Sequence, residues 1–148
     1  MIDKKYIGYN FPPVKLKVEE GRLKFLAKSL GETKGIYVDS KIAKQEGLRG
    51  LLAPPTFPFM LEIDAFDLSE FVHFLGESLE KLLHGEENFT YYEPIYAGDI
   101  ITVSKKISDI IDKKGGDLQF VISENTFINQ DNLVVANTVT NYVFMHKR

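Results

Sequence analysis

Three long runs dominate the second half of the chain, residues 99–111, 118–127 and 133–145, and all are rich in Val, Ile, Thr, Phe and Tyr. Side chains that are aromatic or branched at Cβ suit a pleated surface, so each run predicts a strand. The links between them are short. Residues 113–117 contain Gly115-Gly116 and residues 129–132 are Asn-Gln-Asp-Asn, and both tolerate the positive φ of tight turns. The three strands are therefore expected to form an antiparallel meander, with a shorter run at 89–92 joining them across residues 93–98. A sheet this long needs an apolar cover on at least one face.

The first half of the chain offers that cover, because its apolar period is helical. Leu23, Leu26, Ala27 and Leu30 follow i, i+3, i+4, i+7 spacing behind Glu19-Glu20, which predicts an amphipathic helix closed at Gly31, after an extended segment at 13–18. Residues 39–45 predict a second short helix, capped by Asp39 or Ser40 and stopped at Gly47. Beyond the proline-rich Pro54-Pro55-Thr56, residues Phe57, Phe59, Met60, Leu61 and Ile63 predict a helix apolar, and so buried, on every side. Leu68, Phe71, Val72, Leu75, Leu79, Leu82 and Leu83 extend the helical period over 68–83, with a break or bend expected at Gly76. Two α+β architectures satisfy this order. In one, a hot-dog fold, a long antiparallel sheet curls around a central buried helix; in the other, an open sheet carries its helices on one face. No linker or repeat divides the 148 residues, which read as one domain spanning 1–148.

Composition narrows the function. A chain 44% hydrophobic and 26% charged can bury a core, and its 18 basic and 21 acidic residues are interspersed, with none of the basic striping that nucleic acid demands. Without cysteine there is no disulfide, thiolate nucleophile or thiolate-held metal. No run of ~18 apolar residues predicts a membrane span, and residues 1–10 lack the apolar core of a leader, so a soluble cytoplasmic protein is expected. Neither a metal-ligand cluster nor a phosphate-cradling glycine loop is present, and no cofactor is expected.

Three blocks then point to a family. Phe25-Leu-Ala-Lys-Ser-Leu-Gly-Glu-Thr-Lys-Gly-Ile-Tyr-Val-Asp-Ser, Gly50-Leu-Leu-Ala-Pro-Pro-Thr-Phe, and Leu83-His-Gly-Glu-Glu-Asn-Phe-Thr-Tyr-Tyr-Glu-Pro-Ile-Tyr-Ala-Gly-Asp occur in this order. Together they resemble the MaoC-like dehydratase family, especially its N-terminal-type domain. These are hot-dog proteins that include (R)-specific enoyl-thioester hydratases and 3-hydroxyacyl-thioester dehydratases. The family's catalytic motif, Gly-Asp-x-Asn-Pro-aliphatic-His, falls on Gly31, Glu32, Thr33, Lys34, Gly35, Ile36 and Tyr37. Glu32 keeps a carboxylate, but Lys34 and Gly35 replace Asn-Pro and Tyr37 replaces the histidine. A phenol of ordinary pKa near ~10 is a poor proton shuttle at neutral pH, so the expected consequence is a degenerate acid–base pair.

The resemblance also implies an oxyanion hole at the N-terminus of the central helix, where backbone N–H groups point outward. Here Pro54, Pro55 and Pro58 cannot donate, which leaves Ala53, Thr56 and Phe57; ordinary helix capping is the alternative reading. Thr56, Phe57, Phe59, Met60 and His84 are the candidate substrate-binding residues, with Tyr91 and Tyr92 on a facing strand, and a plain core role is the alternative for each. His73 is expected on a helix surface and His146 in a frayed end. By resemblance, the chain is a subunit of a dehydratase or hydratase acting on an acyl thioester of CoA or acyl carrier protein. It shapes the acyl tunnel and pairs with its own copy or with a catalytic hot-dog chain. A self-sufficient hydratase or thioesterase using Glu32, and a non-catalytic acyl-thioester binding module, are the rival expectations.

Overall fold

The β-rich half folds into a five-stranded sheet of order β1-β3-β4-β5-β2 in a computed structural model that describes residues 1–146. The strands are β1 Val14–Lys17, β2 Leu82–Tyr91, β3 Ile100–Lys113, β4 Leu118–Ile128 and β5 Val134–Met145. Every neighbouring pair is antiparallel. The β3–β4 turn passes through positive φ at Lys114, Gly115 and Gly116, and the β4–β5 turn through Asn132. Asn129 closes the second turn, its side-chain oxygen accepting from the Asp131 and Leu133 N–H groups at 3.0 Å each. The meander is as the turn residues predict.

Among the described residues five α-helices precede or interrupt the sheet: α1 Glu20–Ser29, α2 Gly35–Val38, α3 Ser40–Gln45, α4 Phe57–Ala65 and α5 Leu68–Phe74. Gly31, at φ 70, ends α1 in the left-handed conformation expected of it, and Asp39 caps α3 by accepting from Lys41 and Ile42. The sheet curls around α4, whose Phe57 and Leu61 share a core with Leu23, Ile101, Val103, Phe127 and Ala136. A second core lies under α5, where Phe71, Val72 and Leu75 meet Ile107, Ile110, Val121, Tyr142 and Phe144. This is the α+β hot-dog arrangement. No helix among the described residues is long and apolar enough to cross a membrane.

Four expectations need correction. The helix expected over 68–83 stops at Phe74, because Gly76 adopts φ 75 and breaks it. Leu82 and Leu83 belong instead to β2, paired with Phe144 and Val143, so the strand expected at 89–92 is ten residues long. Apolar spacing at the boundary fits either element, and the hydrogen bonds of the β5 edge decide it. Nor is α4 buried on every side: Ile63 is 39% exposed and Asp64 is exposed, whereas Glu62 is 1% exposed. Finally, His146 is anchored, its N–H donating to the Asp117 carbonyl at 2.9 Å and its ring 2.8 Å from the Gln119 side-chain oxygen.

Candidate functional site

The N-terminal end of α4 opens on a cleft of about 300 Å3, lined by Tyr37, Leu52, Pro55, Tyr91, Tyr92 and Pro94 among others. Tyr91 comes from β2 and donates its hydroxyl to the Pro55 carbonyl at 2.6 Å, which ties the strand to the lead-in of α4. Burial pushes the Tyr91 phenol above its usual range. A strap at residues 93–98 forms the opposite wall, and Asp99 fixes it. Its buried carboxylate accepts from the Tyr96 N–H at 2.8 Å and from Gln130 at 3.1 Å, and it pairs with Arg49 at 2.7 Å. Arg49 also lies 4.3 Å from the centre of the Tyr96 ring. The Ala97-Gly98-Asp99 stretch of the third resemblance block is thus a brace.

Besides its three tyrosines this cleft carries one lining carboxylate, Glu93, and few backbone donors able to hold an oxyanion. Of the three backbone donors left by the prolines, Ala53 donates to the Ile95 carbonyl at 2.8 Å and Phe57 to the Pro54 carbonyl at 2.9 Å. Thr56, exposed and without a side-chain cap bond, keeps its own N–H. Glu32 does not line this cleft. One of its carboxylate oxygens accepts from the Thr33 and Lys34 N–H groups at 2.9 Å each, and the Lys34 bond first among these holds the carboxyl below its usual range. Glu32 lines a separate outward groove with Lys24, Lys28 and Thr33.

The sheet-facing side of α4 is the reverse: enclosed and densely polar. Glu62 accepts from Lys105 at 2.9 Å and Tyr142 at 2.8 Å through one oxygen, and from Asn125 at 2.8 Å and Thr140 at 2.9 Å through the other. Lys105 is itself 2% exposed, with its ammonium 4.1 Å from the centre of the Phe71 ring. Burial pushes the Lys105 ammonium below its usual pKa, against the pull of Glu62, and pushes the Tyr142 phenol up. Thr140 also reaches Glu87 at 3.1 Å, and Glu87 lies 3.3 Å from the His84 ring. Burial first, and then the Glu62 carboxylate, raise the Glu87 pKa.

The substrate candidates divide between these regions. Phe57 is 1% exposed within the core, and Met60 packs half-buried against it. The remaining two, Phe59 and His84, have ring centres 4.9 Å apart and line a second cleft of about 230 Å3 with Ile63, Leu68, Leu79 and Leu82. Sequence reasoning passed over Glu62 and Lys105. Both carried a signal, since Lys105 holds an inward position of β3 between Val103 and Ile107, and Glu62 interrupts an apolar helix. Among the described residues no cluster of three His, Asp or Glu is placed to hold a metal.

A curled antiparallel sheet around a central helix, with the resemblance blocks set around one end of that helix, defines the hot-dog class of MaoC-like dehydratases and hydratases. The chain belongs to the family described as FAS1-like, dehydratase domain region, which matches residues 5–138. A UPF0336 protein of Streptomyces avermitilis is 30% identical over 124 residues, covering 83% of this chain and 83% of that protein. Two solved structures share the fold. The truncated HadBC (3R-hydroxyacyl-ACP dehydratase) complex of Mycobacterium tuberculosis matches with TM-score 0.78 and 20% identity, over 93% of this chain and 96% of that one. A MaoC-like dehydratase matches with TM-score 0.82 and 21% identity, over 95% of this chain and 42% of that one.

Proposed function

We propose that the chain is the tunnel-shaping subunit of an (R)-3-hydroxyacyl-thioester dehydratase or enoyl-thioester hydratase, working beside a hot-dog partner that carries the Asp and His of the acid–base pair. One observation carries the reading: the cleft at Tyr37 is apolar, and two of its three available backbone donors are spent on the chain itself. An acyl chain suits such walls, whereas proton transfer needs an acid and a base within hydrogen-bond reach of the substrate. The HadBC relative is by its name a complex of two different subunits, which supports a heteromeric arrangement. The edge of β2 is unpaired in the single chain and offers a place for a partner strand.

The test compares the purified chain alone with the same chain co-purified with a hot-dog subunit bearing the intact motif. Hydration of 2-enoyl-CoA substrates of increasing length is followed as loss of enoyl absorbance. The chain alone is expected to be inactive and the complex active, and Leu52→Trp in this chain should suppress the longer substrates most. Turnover by the lone chain that disappears in Glu32→Ala refutes the proposal.

A further inference from the structure

The sequence His84-Gly85-Glu86-Glu87 achieves what a regular strand cannot. Side chains three residues apart in a strand point to opposite faces. In β2, however, the register against β5 slips between His84 and Glu86, and this bulge brings His84 and Glu87 together at 3.3 Å. Gly85 is required for it, because a Cβ there would stand 2.7 Å from a Val143 methyl and 3.0 Å from the Asn141 carbonyl oxygen.

The pair bridges interior and surface. The Glu87 side chain is 11% exposed and that of His84 40%. One Glu87 oxygen meets Thr140, while the other is buried without a hydrogen bond, since the imidazole beside it is near but not aligned. Neither ring nitrogen of His84 makes a hydrogen bond among the described residues, and Nε2 is the one that lies 3.3 Å from Glu87. Beside the imidazole lies the apolar cleft of about 230 Å3, more than the ~150 Å3 that admits a benzene ring. The charged and titratable groups around the pair are Glu62, Lys105 and Tyr142 behind it and Glu86 alongside. Glu62 and Lys105 compensate one another, so the carboxyl of Glu87 opposes a ligand carboxylate, and the apolar wall opposes a free ammonium. A neutral hydrogen-bond donor with an apolar body fits what remains.

We propose that this cleft is a second binding site, separate from the Tyr37 cleft, for a small apolar molecule bearing a hydroxyl, such as a phenol: its ring lies against Phe59, Leu79 and Leu82, and its hydroxyl donates to Nδ1 of His84. Glu87 acts as a positioning residue through its carboxylate, 3.3 Å from the imidazole Nε2. The site does not depend on the dehydratase reading.

The experiment titrates the 15N-labelled full chain with para-cresol and, in parallel, with toluene, following the His84 ring nitrogens and the β2 amides by NMR. Para-cresol should give saturable shifts at His84 and Leu82 and bind about tenfold more tightly than toluene, as one good hydrogen bond allows. His84→Phe should erase that preference while keeping the cleft. Leu79→Trp should fill the cleft and abolish binding, and Leu79 is 48% exposed, so the change spares the core. Glu87→Gln should narrow the preference without closing the cleft. Absence of shifts at His84, equal affinity for the two probes in the unaltered chain, or binding that survives Leu79→Trp would each overturn the proposal.

Discussion

The two sides of α4 have opposite characters on nine residues of helix. At its N-terminal end the Tyr37 cleft is open and mostly apolar, with its Ala53 N–H and Tyr91 hydroxyl bonded to the chain itself. On its sheet-facing side Glu62 makes four charge-assisted or neutral hydrogen bonds with no access to solvent. In the resembled family chemistry belongs to the first region. Here the first region is mostly apolar, with Glu93 and three tyrosines in its lining, while the second buries Glu62 against Lys105 and Tyr142. A degenerate motif therefore does not mean a molecule without polar organisation.

The sharpest way to break the contrast is to unpair the buried charges. Lys105→Met should cost about 3–5 kcal/mol in urea unfolding, because it strands a buried carboxylate, while adding Glu62→Leu should recover most of the loss. A double variant no better than the single one would mean that the pair is not the unit. Next in size, Gly85→Ala should cost about 1–3 kcal/mol and move the His84 ring resonances, since the backbone must shift to clear the Asn141 carbonyl oxygen. On the open side, Tyr91→Phe removes one hydrogen bond to Pro55 and should cost only about 0.5–1.5 kcal/mol in thermal unfolding.

A smaller effect is pH-dependent. The folded chain keeps the Glu87 proton to a higher pH than the unfolded chain, so stability should fall as pH rises from the ordinary value of ~4.3 through the raised one. Glu87→Gln should flatten that slope when unfolding midpoints are compared between about pH 4 and about pH 8. The smallest expected change is at Glu32. Glu32→Ala frees two loop N–H groups to solvent and should leave thioester turnover by the complex unaltered.

Much of the scaffold was legible because its signals are local. Gly31, Asp39 and the Gly115-Gly116 turn each settle a boundary through their own backbone preferences, and the period-two runs of β3 to β5 need no distant information. The β2 boundary was not, because Leu79, Leu82 and Leu83 fit a helix face as well as a strand, and only pairing with β5 separates the two. At the site, the replacements at Lys34, Gly35 and Tyr37 could be read directly, and Tyr37 does reach the cleft with Tyr91 and Tyr92. That Phe57 is core and that Phe59 and His84 open on a different cleft could not, since spacing gives a helical face but not what lies opposite it.

Residue identity alone determined the meander and the helical cover of the first half, because turn chemistry and side-chain period act where they stand in the chain, while it left both a curled and an open sheet allowed. Tertiary packing decided that Glu62, from a helix, and Lys105, from β3, would meet in the dry interior. It decided likewise that a one-residue slip at Gly85 would turn His84 and Glu87 to the same side. Hydrogen-bond partners 43 or 80 residues away leave no periodic trace for a reader of the sequence, and a bulge exists only against the strand it fails to match.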